Sequence, residues 1–150
     1  MVKKLLQLVF ATTSNLQSLG LFFIRLILAY NFYTTAIIKW EDIQSVADWF
    51  ESLNIPLAKF NAYFVATIEM SSVVLFIIGL GTRLMSFLLI PTLSVAIYTV
   101  HWENGFTASD NGYEIPLYYL SMLFVLLGFG SGKVSLNYFL YRLSIWPYKK

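Results

Sequence analysis

Residues 60–80 read FNAYFVATIEMSSVVLFIIGL, a run of 21 positions with one charge, Glu69. At 1.5 Å rise per residue a helix carries that run across about 30 Å, the thickness of a bilayer's hydrocarbon core. Three more stretches have the same character: Leu16 to Ile38 with Arg25 as its only charge, Leu84 to Val100 with Pro91 near its middle, and Ile115 to Gly130, closed by Gly128, Gly130 and Gly132. The sequence therefore predicts an all-α integral membrane protein, a bundle of four transmembrane helices in one domain over residues 1–150.

Composition agrees with that reading. Of 150 residues 58% are hydrophobic and 12% charged, against about 25% charged in soluble domains, and the mean hydropathy is +0.68. A net charge of +2 with scattered cations gives no footprint for nucleic acid. With no cysteine and a single histidine, His101, the chain has no thiol relay, thiolate cluster or bis-His haem, and a metal centre is not expected. No covalent cofactor is implied.

The charges outside the spans set an orientation. Lys3, Lys4, Arg83, Lys133, Arg142, Lys149 and Lys150 fall on one side with no acid among them. Glu41, Asp42, Asp48, Glu51, Glu103, Asp110 and Glu114 fall on the other with Lys39 and Lys59. Cytoplasmic loops are the ones enriched in Lys and Arg, so both termini are expected in the cytoplasm. Lys3 and Lys4 ahead of Leu5–Ala11 also admit a signal-peptide reading, disfavoured by Gln7 and by the lack of an A-x-A-like site. A short interfacial helix leading into the first span is the simpler expectation.

Two amphipathic stretches suit the membrane surface. Ile43, Val46, Trp49, Phe50 and Leu53 recur at helical spacing opposite Asp42, Gln44, Asp48 and Glu51, with Asn54 and Pro56 as the stop. In the C-terminal tail, Leu136, Phe139, Leu140, Leu143 and Ile145 oppose Lys133, Arg142, Lys149 and Lys150, and Tyr138, Tyr141, Trp146 and Tyr148 supply an aromatic belt.

Arg25 and Glu69 carry the most information, because a lone charge at mid-membrane costs roughly 2.5–3.5 kcal/mol. Counted from the outer helix ends, they lie about 20 and 14 Å deep. Pairing between the first two spans is the expectation, either as a lock on helix register or as part of a polar site; snorkelling of Arg25 toward the cytoplasmic face is the alternative. At the outer ends of the third and fourth spans, His101, Asn104, Tyr113 and Glu114 gather near Pro116, which suits a first helical turn. An imidazole and a carboxylate there can exchange protons or hydrogen-bond a quinone carbonyl, or simply line a wet loop. Lys39 and Trp40 read as interfacial anchors, and Pro91 as a kink in the third helix.

The ordered set Arg25-Leu26, Lys39, Phe50-Glu51-Ser52-Leu53-Asn54-Ile55-Pro56, Glu69, Leu80-Gly81-Thr82-Arg83, His101, Asn104-Gly105-Phe106 and Asn111-Gly112-Tyr113-Glu114-Ile115-Pro116-Leu117 resembles the DoxX family of small four-helix membrane proteins, over roughly Gly20 to Leu136. That resemblance implies a bundle in the bacterial cytoplasmic (inner) membrane, similar to membrane subunits associated with thiosulfate:quinone oxidoreduction and with other redox partners. It implies a site for quinone or a similar carrier with Arg25, Lys39, Glu69, His101, Asn104, Tyr113 and Glu114 as candidate ligands, electrons arriving from a partner redox protein, and a possible homo-oligomer. Where relatives have a Gly-rich first span and a Gly at the loop apex, this chain has Ala29-Tyr30 and Asn54. A disulfide-handling role does not carry over, since the cysteines are missing. A non-catalytic anchor or assembly protein and a small anion or weak-acid transporter are the other readings; no internal repeat supports the last.

Overall fold

The structure, a computed structural model, describes the backbone of residues 2–143 and the side-chain surroundings of Thr13 and of residues 15–143. Among the described residues there are six α-helices: α1 (Val2–Glu41), α2 (Ile43–Ser52), α3 (Ala58–Ile78), α4 (Thr82–Ala96), α5 (Glu114–Phe129) and α6 (Leu136–Arg142). Helix α4 runs on through a π turn, Ile97–His101, and a 3₁₀ turn, Trp102–Asn104. Three helical stretches are long and apolar enough to cross a membrane: Asn15–Glu41, Ala58–Ile78 and Thr82–Asn104. Helix α5, at 16 residues, is shorter. The all-helical membrane-type fold thus stands, with three clear spans and a fourth apolar helix in the bundle.

The helices close a ring in which α1 packs on α3, α3 on α4, α4 on α5, and α5 back on α1, the last contact being much thinner than that of α1 with α3. Leu28, Phe76, Leu89, Leu123 and Leu126 are fully buried where the four meet. Such a core suits a bundle whose outer faces, including Phe23, Phe64, Phe87 and Phe124, are exposed apolar surface for lipid.

Local signals explain the boundaries. Asp42 Oδ1 accepts from Ser45 N at 3.0 Å and caps α2, whose Ala47 and Phe50 pack on Ala62 of α3; the amphipathic helix expected there is present. Helix α3 ends on Gly79 at φ +71°, with Leu80 N donating to Leu75 O, a left-handed cap. Pro116 sits in the first turn of α5 as expected, and Gly130 at φ +75° stops that helix.

One expectation needs correction. There is no separate interfacial helix before the first span: α1 is continuous from Val2, and no Gly or Pro interrupts residues 2–19. At 40 residues it is about 60 Å long. Pro91 lies inside α4, which keeps α geometry to Ala96 and widens at Ile97. Helix α6 confirms the start of the amphipathic tail, whereas Ile145, Trp146, Tyr148, Lys149 and Lys150 lie outside the described residues.

Candidate functional site

Lys39 Nζ lies 2.8 Å from Glu69 Oε2, an ion pair between α1 and α3. Thr35 Oγ1 donates to the same oxygen at 3.0 Å, and Lys39 Nζ reaches Thr35 O at 3.5 Å. Thr35 and Lys39 are four apart on α1 and so share a face. Ala36, Ala62 and Ala66, all fully buried, are the small residues that let helices approach closely. Trp40 Nε1 donates to Ala66 O at 3.3 Å and fixes the end of α1 on α3. One turn deeper, Tyr119 OH on α5 donates to Asn31 Oδ1 at 2.5 Å. Asn31, Thr35 and Lys39 therefore form a polar stripe on α1, met by Glu69 on α3 and Tyr119 on α5.

This overturns the expected pairing of Arg25 with Glu69. Arg25, 1% exposed, donates from Nη1 to Phe76 O at 2.9 Å and from Nη2 to Val134 O. Both acceptors are backbone carbonyls: Phe76 O belongs to the last turn of α3, the negative end of its dipole, and Val134 O to the loop before α6. The Phe22 ring adds a cation–π contact at 5.6 Å. Nor does Arg25 snorkel to a face: its guanidinium stays buried, bonded to carbonyls toward the basic end of the bundle. The physical reason Arg25 does not pair with Glu69 is separation: Arg25 and Lys39 are 14 positions apart, about 21 Å along α1, and Glu69 is level with Lys39. Gly79 makes the arrangement possible, since a Cβ there would fall 2.2 Å from Arg25 Nη1 and 2.5 Å from Ser135 Cβ.

The cap at the acidic end gathers His101, Asn104, Tyr113 and Glu114 without joining His101 to Glu114 by any bond among the described contacts. His101 Nδ1 lies 2.8 Å from Asn111 O; a carbonyl only accepts, so Nδ1 carries the proton and Nε2 is left for another group. Asn104 Nδ2 donates to Val100 O and Asn111 O at 3.1 and 3.3 Å. Glu114 accepts from Ala108 N and from Tyr118 OH at 3.0 and 2.9 Å. Tyr113 stacks on Trp102 with centroids 5.3 Å apart and meets Phe106 edge-on at 5.6 Å. These four residues shape a folded loop at the acidic end of the bundle.

Lys39, read from sequence as an interfacial anchor and, through the family resemblance, as a candidate ligand, is bonded here to Glu69. Thr35, Asn31 and Tyr119 escaped the sequence reading altogether; the four-residue recurrence Asn31, Thr35, Lys39 was the available signal.

Comparison with known proteins follows the same outline. The DoxX family profile matches residues 20–102, a span that includes Arg25, Lys39, Glu69 and His101 but not Asn104, Tyr113 or Glu114. A Haemophilus influenzae protein described as uncharacterized is 31% identical over 126 residues, covering 79% of this chain and 81% of its own. A Bacillus subtilis protein named "Putative oxidoreductase CatD" is 32% identical over 88 residues, 59% of this chain and 64% of its own. No solved structure matches the chain. The helical membrane bundle, the matched segment and these likenesses agree: the chain belongs to the DoxX family.

Proposed function

We propose that the chain is an integral membrane subunit of a redox system that holds a quinone or similar lipid-soluble carrier at the Lys39–Glu69 pair. The observation that carries this reading is a polar cluster on facing helices, in which the buried Glu69 meets Lys39 and the exposed Thr35 of α1, with Asn31 one turn on bonded to the Tyr119 hydroxyl of α5. Intramembrane ionisable residues mark substrate or proton paths as a rule. The donor set fits a ring carbonyl: an ammonium has three N–H donors, of which Lys39 directs two at Glu69 and Thr35. Lys39 keeps 18% of its side chain exposed while Glu69 is buried at 7%, so the pair is approached from its Lys39 side. The name of the Bacillus subtilis relative supports an oxidoreductase setting.

A bound quinone would supply two-electron, two-proton chemistry, with electrons delivered by a separate oxidoreductase carrying its own redox group. Lys39 Nζ hydrogen-bonds and polarises the carrier's carbonyl, Glu69 accepts or returns a proton at its carboxylate, and His101 Nε2 offers a proton-exchanging group at the acidic face. The basic end, with Arg83, Lys133 and Arg142, faces the cytoplasm of a bacterial inner membrane, and α5 completes the fourth crossing.

Trp40 lies beside the pair and reports on it. Titration of the detergent-solubilised protein with a short-chain ubiquinone should give saturable tryptophan quenching that Lys39→Met and Glu69→Gln weaken at least tenfold. Linear, non-saturating quenching identical in all three proteins refutes the reading. One observation favours a second reading, a non-catalytic assembly subunit: the interior charges are bonded within the bundle itself, Glu69 to Lys39 and Arg25 to two carbonyls. In that case Glu69→Gln lowers protein yield and leaves a partner enzyme's turnover per molecule unchanged.

A further inference from the structure

The thin contact between α1 and α5 leaves a groove of about 380 Å³ lined by Gln17, Gly20, Leu21, Ile24, Val125 and Phe129. Apart from Gln17 its walls are apolar or glycine, and its size lies within the roughly 300–1,000 Å³ of ligand clefts. It is at the opposite end of the bundle from the Lys39–Glu69 pair: Ile24 and Thr35 are separated by about 16 Å along α1.

Depth and charge identify the occupant. Measured back from Lys39 and Trp40, a hydrocarbon core of about 30 Å ends near residue 19 of α1. Gln17 therefore lies at headgroup level, while Leu21 and Ile24 lie beside the first acyl methylenes. Two cations are bonded to residues near the groove's lining, Asn15 before Gln17 and Gly128 before Phe129. Lys133 Nζ donates to Asn15 Oδ1 at 3.1 Å, on the turn just before Gln17. The preceding Gly132 sits against α1, where a Cβ would come within 3.3–3.4 Å of Leu21 and Ser18. On the other side the exposed Arg83 donates from Nη2 to Gly128 O at 3.0 Å, the carbonyl next to Phe129. Among the described residues no acid lies at this end of the bundle.

We propose that this groove is a binding site for an anionic phospholipid. One acyl chain lies along Gly20, Leu21, Ile24, Val125 and Phe129, and the headgroup phosphate is held between Lys133 and Arg83. Basic groups at a membrane surface favour anionic lipid by roughly fivefold each, which places the preference for phosphatidylglycerol over phosphatidylcholine at roughly 25-fold. Glycine at position 20 keeps the groove open: nothing lies within 4 Å of a Cβ built there, so a larger side chain enters the groove without meeting the core.

Native mass spectrometry of the full chain, released from mild detergent with either phosphatidylglycerol or phosphatidylcholine added, tests this. The wild type should retain phosphatidylglycerol in preference, and Arg83→Gln or Lys133→Gln should each cut that preference roughly fivefold. Gly20→Leu should lower retention of both lipids more than tenfold, with circular dichroism showing an intact helical fold. Equal retention of the two lipids by the wild type overturns the proposal, as does full phosphatidylglycerol retention by Gly20→Leu. A co-purifying quinone that Gly20→Leu displaces, with no phosphatidylglycerol adduct, also overturns it and assigns the groove to a carrier's tail.

Discussion

Replacing Lys39 by Met removes the only cation bonded to Glu69 among the described contacts and leaves a carboxylate on a buried residue between α1 and α3 without it. Removing one partner of a buried ion pair costs about 3–5 kcal/mol; the partial exposure of Lys39 puts the expected loss at the lower end, about 3 kcal/mol. The reverse change is milder. In Glu69→Gln the ammonium stands near the end of α1 and swings to the interface on its flexible stem, so only about 1 kcal/mol of hydrogen bonding is lost. The double variant should match Glu69→Gln, giving a coupling energy of about 3 kcal/mol in the cycle. Reversible unfolding by a denaturing detergent in mixed micelles, followed by far-UV circular dichroism, measures all four proteins. Additive effects, or a Lys39→Met variant no less stable than Glu69→Gln, would refute the pairing and its asymmetry.

Gly79→Ala should destabilise by at least about 2 kcal/mol, from its left-handed backbone and from the clash with Arg25 and Ser135; Gly128→Ala, with open space around it, should be neutral or gain up to about 1 kcal/mol. The two melting temperatures in detergent check this contrast. Arg25→Lys keeps the charge and loses the fork that spans Phe76 O and Val134 O, at a cost of about 1.5–3 kcal/mol for the lost bond; amide exchange at Asn137, whose N–H donates to Gly79 O, should speed up with it. Tyr113→Ala removes the stack on Trp102, worth about 0.5–1.5 kcal/mol, and should accelerate exchange of the Glu114 amide, bonded to Phe106 O, while amides in the α3 core stay protected.

Hydropathy carried the fold because a bilayer asks for little more than length and apolar composition. The α2 surface helix was equally legible, since its spacing and its Asp42 cap are local signals. Of the candidate site, Lys39 and Glu69 were legible as members, but their pairing was not. Depth counted along a helix says nothing about which residue faces which across a gap, and Lys39 at a helix end has the composition of an ordinary anchor. Arg25 illustrates the second difficulty: its partners are the carbonyls of Phe76 and Val134, and backbone groups leave no trace in residue identities. Thr35, Asn31 and Tyr119 are common residues in membrane helices, distinguishable only by the four-residue spacing on α1 and by what α3 and α5 bring against it. His101 and Glu114 belong to one cap, as their positions at neighbouring helix ends suggested, yet each is engaged by loop backbone.

The carrier site itself is tested most directly by extraction. Protein purified in mild detergent is extracted with organic solvent and its quinone content read by absorbance, for wild type, Glu69→Gln and His101→Ala. Retention near one quinone per wild-type chain, lost in a Glu69→Gln protein that remains helical, is the predicted result. A wild type that is empty and shows no saturable uptake of added quinone contradicts the account and leaves the assembly role in its place.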